Sequence, residues 1–81
     1  MVKDKVAFIT GGSKGIGYGI AKEIISLGGH AAITARTQED VKEAAQRLND
    51  IGPGRALGLS VDVRDLEAQQ EAVGKTVEAF G

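Results

Sequence analysis

Short apolar runs alternate along this chain with longer segments in which apolar residues recur every three or four positions. The short runs, bounded by glycine or polar residues, predict β-strands at residues 5–10, 31–35 and 56–63. The longer segments predict three α-helices. The first covers residues 15–27, the second begins after a cap at Thr37 and ends at residues 52–54, and the third begins after a cap at Asp65 and ends at Gly81. The pattern therefore predicts three strands alternating with three helices.

The apolar stripe of each predicted helix marks the side that is expected in the core. These stripes are Ile16, Ile20, Ala21, Ile24 and Ile25 in the first helix, Val41, Ala44, Ala45, Leu48 and Ile51 in the second, and Leu66, Val73, Val77 and Phe80 in the last. Thr37, followed three residues later by Asp40, predicts a capping box at the start of the second helix.

Strands that alternate with helices, without a repeat or a linker, are typical of an α/β fold with a parallel sheet. Right-handed crossovers predict the strand order 3-2-1, with the first two helices on one face. The third helix would return across the other face toward a fourth strand beside the first. Residues 1–81 therefore predict one unit, the first βαβαβα half of a doubly wound sheet, truncated before the second half.

The composition narrows the possible functions. The formal net charge is −1 and there is no basic block, which argues against a nucleic-acid partner. The chain contains no cysteine, which excludes disulfides and thiolate metal sites. No apolar run approaches the length needed to cross a membrane, and no signal peptide precedes the first strand. These features predict a soluble cytoplasmic protein without a membrane partner.

Glycine is concentrated in one place, since five of the 12 glycines fall between Gly11 and Gly19. Residues 10–17 read Thr-Gly-Gly-Ser-Lys-Gly-Ile-Gly, follow the first strand and open the first helix. Glycines there allow a sharp turn, a close approach of backbone to a pyrophosphate, and tight packing of helix on strand. The helix N-terminus adds free N–H groups and the positive end of its dipole. The stretch therefore predicts a phosphate-binding loop.

Two common glycine-loop patterns do not fit this stretch. A Walker loop ends in Gly-Lys-Ser/Thr, whereas Lys14 precedes Gly15, and Ser13 occupies the second glycine position of the Gly-x-Gly-x-x-Gly fingerprint. The form Thr-Gly-x-x-x-Gly-Ile-Gly resembles the short-chain dehydrogenase/reductase family, whose members bind NAD or NADP on a Rossmann-type fold. The resemblance implies cofactor contacts from Gly11, Ser13, Lys14, Gly15, Ile16 and Gly17.

The residue after the second strand indicates which cofactor is preferred. NAD-binding Rossmann proteins carry an acidic residue about 20 residues past the loop, where this chain has Arg36. A guanidinium binds phosphate through a planar fork of donors, and Lys14 adds charge within reach. In NADP-preferring family members a basic residue before the second motif glycine pairs with an arginine after the second strand. Lys14 and Arg36 match these positions, and Ser13 and Thr37 match neighbours that often assist. The sequence predicts NADP, the alternative being that Arg36 is a solvated residue at a helix start.

Asp62 and Val63 match the family's Asp-Val pair at the end of the third strand. The resemblance implies that Asp62 accepts a hydrogen bond from the exocyclic amine of adenine, while Val63 packs on the ring. The alternative is an ordinary loop aspartate that precedes a helix.

Two other features resemble catalytic residues, but the sequence does not favour that interpretation. His30, the only histidine, is expected to be a solvated loop residue at the end of the sheet away from the glycine loop. Tyr18 and Lys22 have the family's catalytic Tyr-x-x-x-Lys spacing, but they lie on the first helix. In the family that pair lies on a later helix, so we interpret the spacing here as chance.

The resemblance covers essentially the whole chain and implies an NADP-dependent oxidoreductase that acts on a carbonyl or alcohol substrate, with 3-oxoacyl reduction as the family default. The family's serine and tyrosine–lysine pair are not matched in residues 1–81, so this chain is expected to supply the cofactor-binding half and no catalytic residue. A homo-oligomer is expected. The alternative is a stand-alone nucleotide-binding or interaction module without catalytic activity.

Overall fold

A computed structural model describes residues 3–62 and 64–81, which form three strands and three helices in alternation. The elements are β1 (Val6–Thr10), α1 (Gly15–Ser26), β2 (His30–Ala35), α2 (Gln38–Ile51), β3 (Ala56–Ser60) and α3 (Leu66–Phe80). All pairings are parallel and β2 lies between β1 and β3, which confirms the predicted α/β architecture and strand order. The third strand is shorter than the predicted 56–63, and Val63 lies outside the described residues.

The register brings the carboxyl ends of the three strands to one edge of the sheet. Thr10 lies beside Thr34, and Ala35 lies beside Ser60. Beyond the strands, the Gly12 N–H donates to the Thr34 carbonyl at 3.1 Å, and the Val61 N–H donates to the Ala35 carbonyl at 2.9 Å. The segments that follow β1 and β3 are therefore both attached to β2.

The core lies around β2, where Ala31, Ala32, Ile33 and Thr34 are buried. Ala31 and Ile33 face one side of the sheet, where they form a cluster with buried residues of α1 and α2. These helical residues are Ala21, Ile25, Val41, Ala44, Ala45 and Leu48. Small side chains let α2 approach the sheet closely, since a Cβ on Gly58 would lie 2.8 Å from the Val41 carbonyl oxygen.

The third helix contacts β1 and β3 through a side that the sequence pattern did not identify. Ala72 and Thr76 are buried, and the Thr76 hydroxyl donates to the Ala72 carbonyl at 2.8 Å. The predicted core stripe is wrong for Leu66, Val73 and Val77, which are 68%, 46% and 59% exposed, whereas Phe80 is half-buried against His30. Small residues face the sheet because they permit close helix–sheet contact.

The apolar stripe of α1 is also narrower than predicted. Ala21 and Ile25 are buried, but Ile20 is 49% exposed and Ile16 is 85% exposed. Ile16 lies in the first turn of α1, next to the glycine loop, where no described element covers it. The predicted stripe therefore combined core residues with residues that the described elements leave exposed.

Only one of the two predicted helix caps forms. The Asp65 carboxylate accepts a hydrogen bond from the Ala68 N–H at 3.1 Å, which confirms the cap of α3. Thr37 is the N-cap residue of α2, but its side chain makes no capping hydrogen bond, so the predicted capping box is wrong. The Asp40 carboxylate lies toward Lys14 instead, with 3.9 Å between Oδ2 and Nζ.

His30 is not the solvated loop residue that the sequence predicts. It begins β2, and its side chain is 19% exposed. Its ring stacks on Phe80 with 5.1 Å between centroids, and its Nδ1 accepts a hydrogen bond from the Arg55 N–H at 3.0 Å. The imidazole therefore joins β2 to the start of β3 and the end of α3, at the edge opposite the glycine loop.

Two glycines, Gly12 in the loop after β1 and Gly17 in the first turn of α1, are required by close contacts. A Cβ on Gly17 would lie 2.9 Å from the Gly11 carbonyl oxygen and 3.2 Å from the Gly12 Cα. A Cβ on Gly12 would lie 2.6 Å from Ile33 Cγ2, in the core. Backbone cannot yield as a flexible side chain can, so the loop folds tightly against α1 only with glycine at 17.

We expect Gly17→Ala to destabilise the protein by about 1–3 kcal/mol, because the added methyl group meets backbone that must shift. Gly19→Ala is the matched control, since a Cβ there meets nothing within 4 Å. It should stabilise by about 0.5–1 kcal/mol, as replacing a glycine in a helix interior does. Urea unfolding of both variants measures the difference, and equal effects would contradict the tight loop.

Candidate functional site

The segment between β1 and α1 leads into the start of a helix that has no side-chain cap. Lys14 is the N-cap residue of α1, in an extended conformation, and its side chain makes no capping hydrogen bond. The first turn of α1 contains no acidic residue. Gly11 and Gly15 have φ angles of 69° and 60°, which favour glycine. The N–H groups and positive dipole end of α1 are therefore available to an anionic ligand.

The loop residues named from the sequence all lie at this helix start. Ser13 is half-buried, Lys14 and Gly15 are exposed, Ile16 lies in the first turn, and Gly17 is held against the Gly11 backbone. The geometry thus brings together the residues that the sequence predicted for the loop.

Arg36 directly follows β2 and is exposed at the same edge of the sheet. Its carbonyl accepts a hydrogen bond from the Ser60 hydroxyl at 3.1 Å, which fixes its backbone to the end of β3. Within residues 3–62 and 64–81, its guanidinium has no ion-pair or hydrogen-bond partner. An exposed cation without a partner can bind an anionic ligand without first giving up another contact.

Lys14 extends from the glycine loop to the first turn of α2. Its Nζ lies 3.9 Å from Asp40 Oδ2, and the lysine side chain is 81% exposed. An exposed pair at this distance contributes little to stability and is easily exchanged. Because Arg36 and Thr37 immediately precede that turn, the loop and the end of β2 bring two cations to one region. Asp40 as the partner of Lys14 was not predicted from the sequence.

Asp62 follows β3 and is held by Arg64, a residue that the sequence analysis missed. Arg64 Nε donates to Asp62 Oδ1 at 3.1 Å, and Arg64 Nη2 donates to Oδ2 at 2.9 Å. These hydrogen bonds, with a smaller effect from the charge of Arg36, hold the pKa of the Asp62 carboxyl well below its usual range. The same pairing raises the pKa of Arg64. The sequence signal for this pairing is an arginine two residues after an aspartate in a turn.

Tyr18 lies on α1 and faces α2. Its ring packs against the core cluster, and the Arg47 guanidinium lies 5.3 Å from the ring centroid. Lys22 is exposed one turn further along the helix. This location supports the interpretation that the Tyr-x-x-x-Lys spacing is chance, because the ring is packed between two helices.

Other kinds of site find no support in the described part of the chain. None of its helices has the length and apolar character needed to span a membrane. Nor do residues 3–62 and 64–81 contain a group of three or more histidine, cysteine, aspartate or glutamate side chains that could hold a metal ion.

Comparison with proteins of known sequence identifies relatives along the whole chain. The short chain dehydrogenase family model matches residues 5–81. The chain is 43% identical to the peroxisomal 2,4-dienoyl-CoA reductase of Rattus norvegicus over 81 residues. That alignment covers 100% of this chain but only 28% of the rat enzyme. The chain therefore spans less than a third of the length of this relative.

Solved structures show the same fold. A short chain dehydrogenase of Mycobacterium thermoresistibile superposes with a TM-score of 0.92 at 39% identity, over 100% of this chain and 31% of that one. The L-sorbose reductase of Gluconobacter frateurii, complexed with NADPH and L-sorbose, superposes with a TM-score of 0.91 at 36% identity, over 99% of this chain and 30% of that one. The chain has a parallel sheet whose strands alternate with helices, a glycine loop after the first strand and a family-model match over residues 5–81. It therefore belongs to the short-chain dehydrogenase family.

Proposed function

We propose that this chain is the NADP-binding part of a longer oxidoreductase that transfers hydride between NADP(H) and a carbonyl or alcohol substrate. The main observation behind the proposal is that Arg36, directly after β2, is exposed and that its guanidinium makes no hydrogen bond or ion pair with the described residues, although its charge acts on Asp62. A carboxylate there would repel the 2′-phosphate of NADP, whereas a guanidinium attracts it. The NADPH in the sorbose reductase complex, a neighbour at 36% identity, supports the same cofactor.

The described residues fit the anionic parts of this cofactor. The uncapped start of α1, with Gly11, Ser13, Gly15, Ile16 and Gly17 around it, would hold the pyrophosphate. Lys14, Arg36 and Thr37 would hold the 2′-phosphate, and Asp62 would accept from the adenine amine. Val63, proposed to pack on the adenine, lies outside the described residues.

The nicotinamide of the bound cofactor would carry the hydride, and the residues of this chain would bind and orient the other end of the molecule. Arg36 and Lys14 would anchor the phosphate at the outer part of the edge. The N–H groups of α1 would fix the pyrophosphate, which sets the direction in which the remainder of the cofactor extends. No described residue of this chain is assigned to proton transfer, so catalytic groups would come from elsewhere in the protein.

The substrate is proposed only as a carbonyl or alcohol compound. The relatives named above are a dienoyl-CoA reductase and a sorbose reductase, so their names do not agree on one substrate class. Reduction of a 3-oxoacyl compound stays a prediction, as do homo-oligomerisation and a cytoplasmic location. The rat relative is named as peroxisomal.

We expect Arg36→Ala in the full-length protein to weaken NADPH binding by about tenfold while NADH binding changes little. One charged hydrogen bond contributes about 1.5–3 kcal/mol, and solvent screening at an exposed edge favours the low end, which is close to the 1.4 kcal/mol of one decade in affinity. Arg36→Asp should weaken NADPH further and offer an acceptor to the ribose hydroxyls of NADH. Fluorescence titration of both cofactors measures these affinities.

Arg47→Ala is the matched control for this series, because it removes an exposed arginine that contacts Tyr18 and not the glycine loop. It should leave both affinities unchanged. Equal losses of NADH and NADPH in Arg36→Ala would mean that Arg36 is structural, and the NADP assignment would then be wrong.

Tyr18→Phe in the full-length protein should leave turnover within about twofold of the wild type. The substitution removes a hydroxyl but keeps the ring against Arg47 and the core, so folding should be preserved. Steady-state kinetics and circular dichroism provide the measurement. Loss of turnover with an unchanged spectrum would show that Tyr18 takes part in catalysis after all.

A further inference from the structure

Arg64 occupies most of the hydrogen-bonding capacity of the Asp62 carboxylate. Asp62 Oδ1 accepts from the Arg64 backbone N–H at 2.9 Å and from Arg64 Nε at 3.1 Å. Asp62 Oδ2 accepts from Arg64 Nη2 at 2.9 Å. A carboxylate has about four acceptor positions, two on each oxygen. Counting contacts among residues 3–62 and 64–81, Oδ1 accepts two hydrogen bonds and Oδ2 accepts one, which leaves one acceptor position on Oδ2.

The turn that carries this pair is fixed at both ends. The Asp65 N–H donates to the Asp62 carbonyl at 2.9 Å, and the Asp65 carboxylate caps α3 through the Ala68 N–H. On the other side, the Val61 N–H donates to the Ala35 carbonyl at 2.9 Å. The backbone of Asp62 is thus held between β2 and α3, and the arginine fork fixes its side chain as well. The Asp62 carboxylate is thereby restrained by hydrogen bonds to both of its oxygens.

The carboxylate is still accessible to a ligand. The Asp62 side chain is 40% exposed, at the edge where the glycine loop and Arg36 lie. The carboxyl is ionised at neutral pH, and the hydrogen bonds from Arg64 lower its pKa further. An ionised carboxylate accepts hydrogen bonds and donates none. The remaining position on Oδ2 therefore accepts one donor and disfavours an acceptor.

We propose that Arg64 is a positioning residue that directs Asp62 Oδ2 to read the exocyclic amine of the cofactor's purine, so that the site selects adenine over a 6-oxopurine. The inference rests on the proposed function, because it needs the adenine of NADP at this edge. Adenine presents an N6 amine donor, whereas hypoxanthine presents an O6 acceptor at the same position. Without the fork, the carboxylate could rotate and the selection would weaken.

The test compares full-length wild type, Arg64→Ala and Arg64→Lys for binding of three probes: NADPH, its hypoxanthine analogue, and NADH. We expect wild type to prefer NADPH over the hypoxanthine analogue by about tenfold, the effect of one charge-assisted hydrogen bond. Arg64→Ala should reduce this preference to about threefold or less. Arg64→Lys should do the same, because an ammonium keeps the charge but cannot form the planar fork.

Two further readouts separate positioning from other roles. The ratio of NADPH to NADH affinity should be unchanged in Arg64→Ala, because Arg64 reads the base through Asp62 and does not bind the 2′-phosphate. Arg55→Ala is the matched control, since it removes an exposed arginine that lies over Phe80 at the opposite edge. It should change neither ratio.

The pKa of Asp62 provides an independent measurement. In Arg64→Ala it should rise toward the ordinary value of about 3.9, as followed by carbon-13 NMR of labelled aspartate carboxyls. Because the folded-state pKa is lowered, the pair stabilises the fold above about pH 3.9 and this contribution is lost as the pH falls below it. An unchanged pKa in the variant would contradict the pairing on which the inference depends.

The outcomes distinguish this inference from the proposed function. If wild type binds NADPH and its hypoxanthine analogue equally, or if Arg64→Ala or Arg64→Lys keeps the wild-type base preference, the positioning role of Arg64 is wrong and the NADP site stands. If Arg64→Ala loses the preference for NADPH over NADH, Arg64 is a phosphate ligand and the inference is again wrong. If wild type binds none of the three nucleotides, the proposed function itself fails.

Discussion

The site depends on the parallel attachment of β1 and β3 to the buried strand β2. This register is the reason that the glycine loop, Arg36 and Asp62 share one edge, although they are far apart in sequence. Hydrogen bonds beyond the strands, from Gly12 to the Thr34 carbonyl and from the Ser60 hydroxyl to the Arg36 carbonyl, extend the attachment into the loops. The buried strand β2 therefore holds the loops at this edge in position.

The cations at this edge differ in how strongly they are bound to other side chains. Arg64 is bound to Asp62 through a two-point fork, whereas the Lys14–Asp40 pair is long and exposed. Arg36, in the described part of the chain, has no side-chain partner. A bound phosphate would therefore meet one free cation and one that is easily released, while the third holds a carboxylate in place. This division suits a ligand that carries both an anionic group and a hydrogen-bond donor.

The sequence was sufficient to predict the element order, the strand order and the position of the glycine loop, because these follow from periodicity, glycine placement and crossover handedness. It failed where several faces of one helix are apolar: α3 packs through Ala72 and Thr76 while Leu66 and Val73 stay exposed. Residue propensities could not show that the His30 ring contacts Phe80 and the Arg55 N–H. The fork between Arg64 and Asp62 depends on turn geometry, which composition and spacing do not specify.

The central claim is that cations at this edge bind the 2′-phosphate of NADP. Phosphorus-31 NMR of NADP titrated with the full-length protein tests it directly, because the pKa of a phosphate monoester near 6 falls when nearby cations stabilise the dianion. The claim predicts that the bound 2′-phosphate titrates at least about one pH unit below free NADP, the shift that a tenfold stabilisation of the dianion produces. A bound 2′-phosphate that titrates near pH 6, as it does in free NADP, would contradict it.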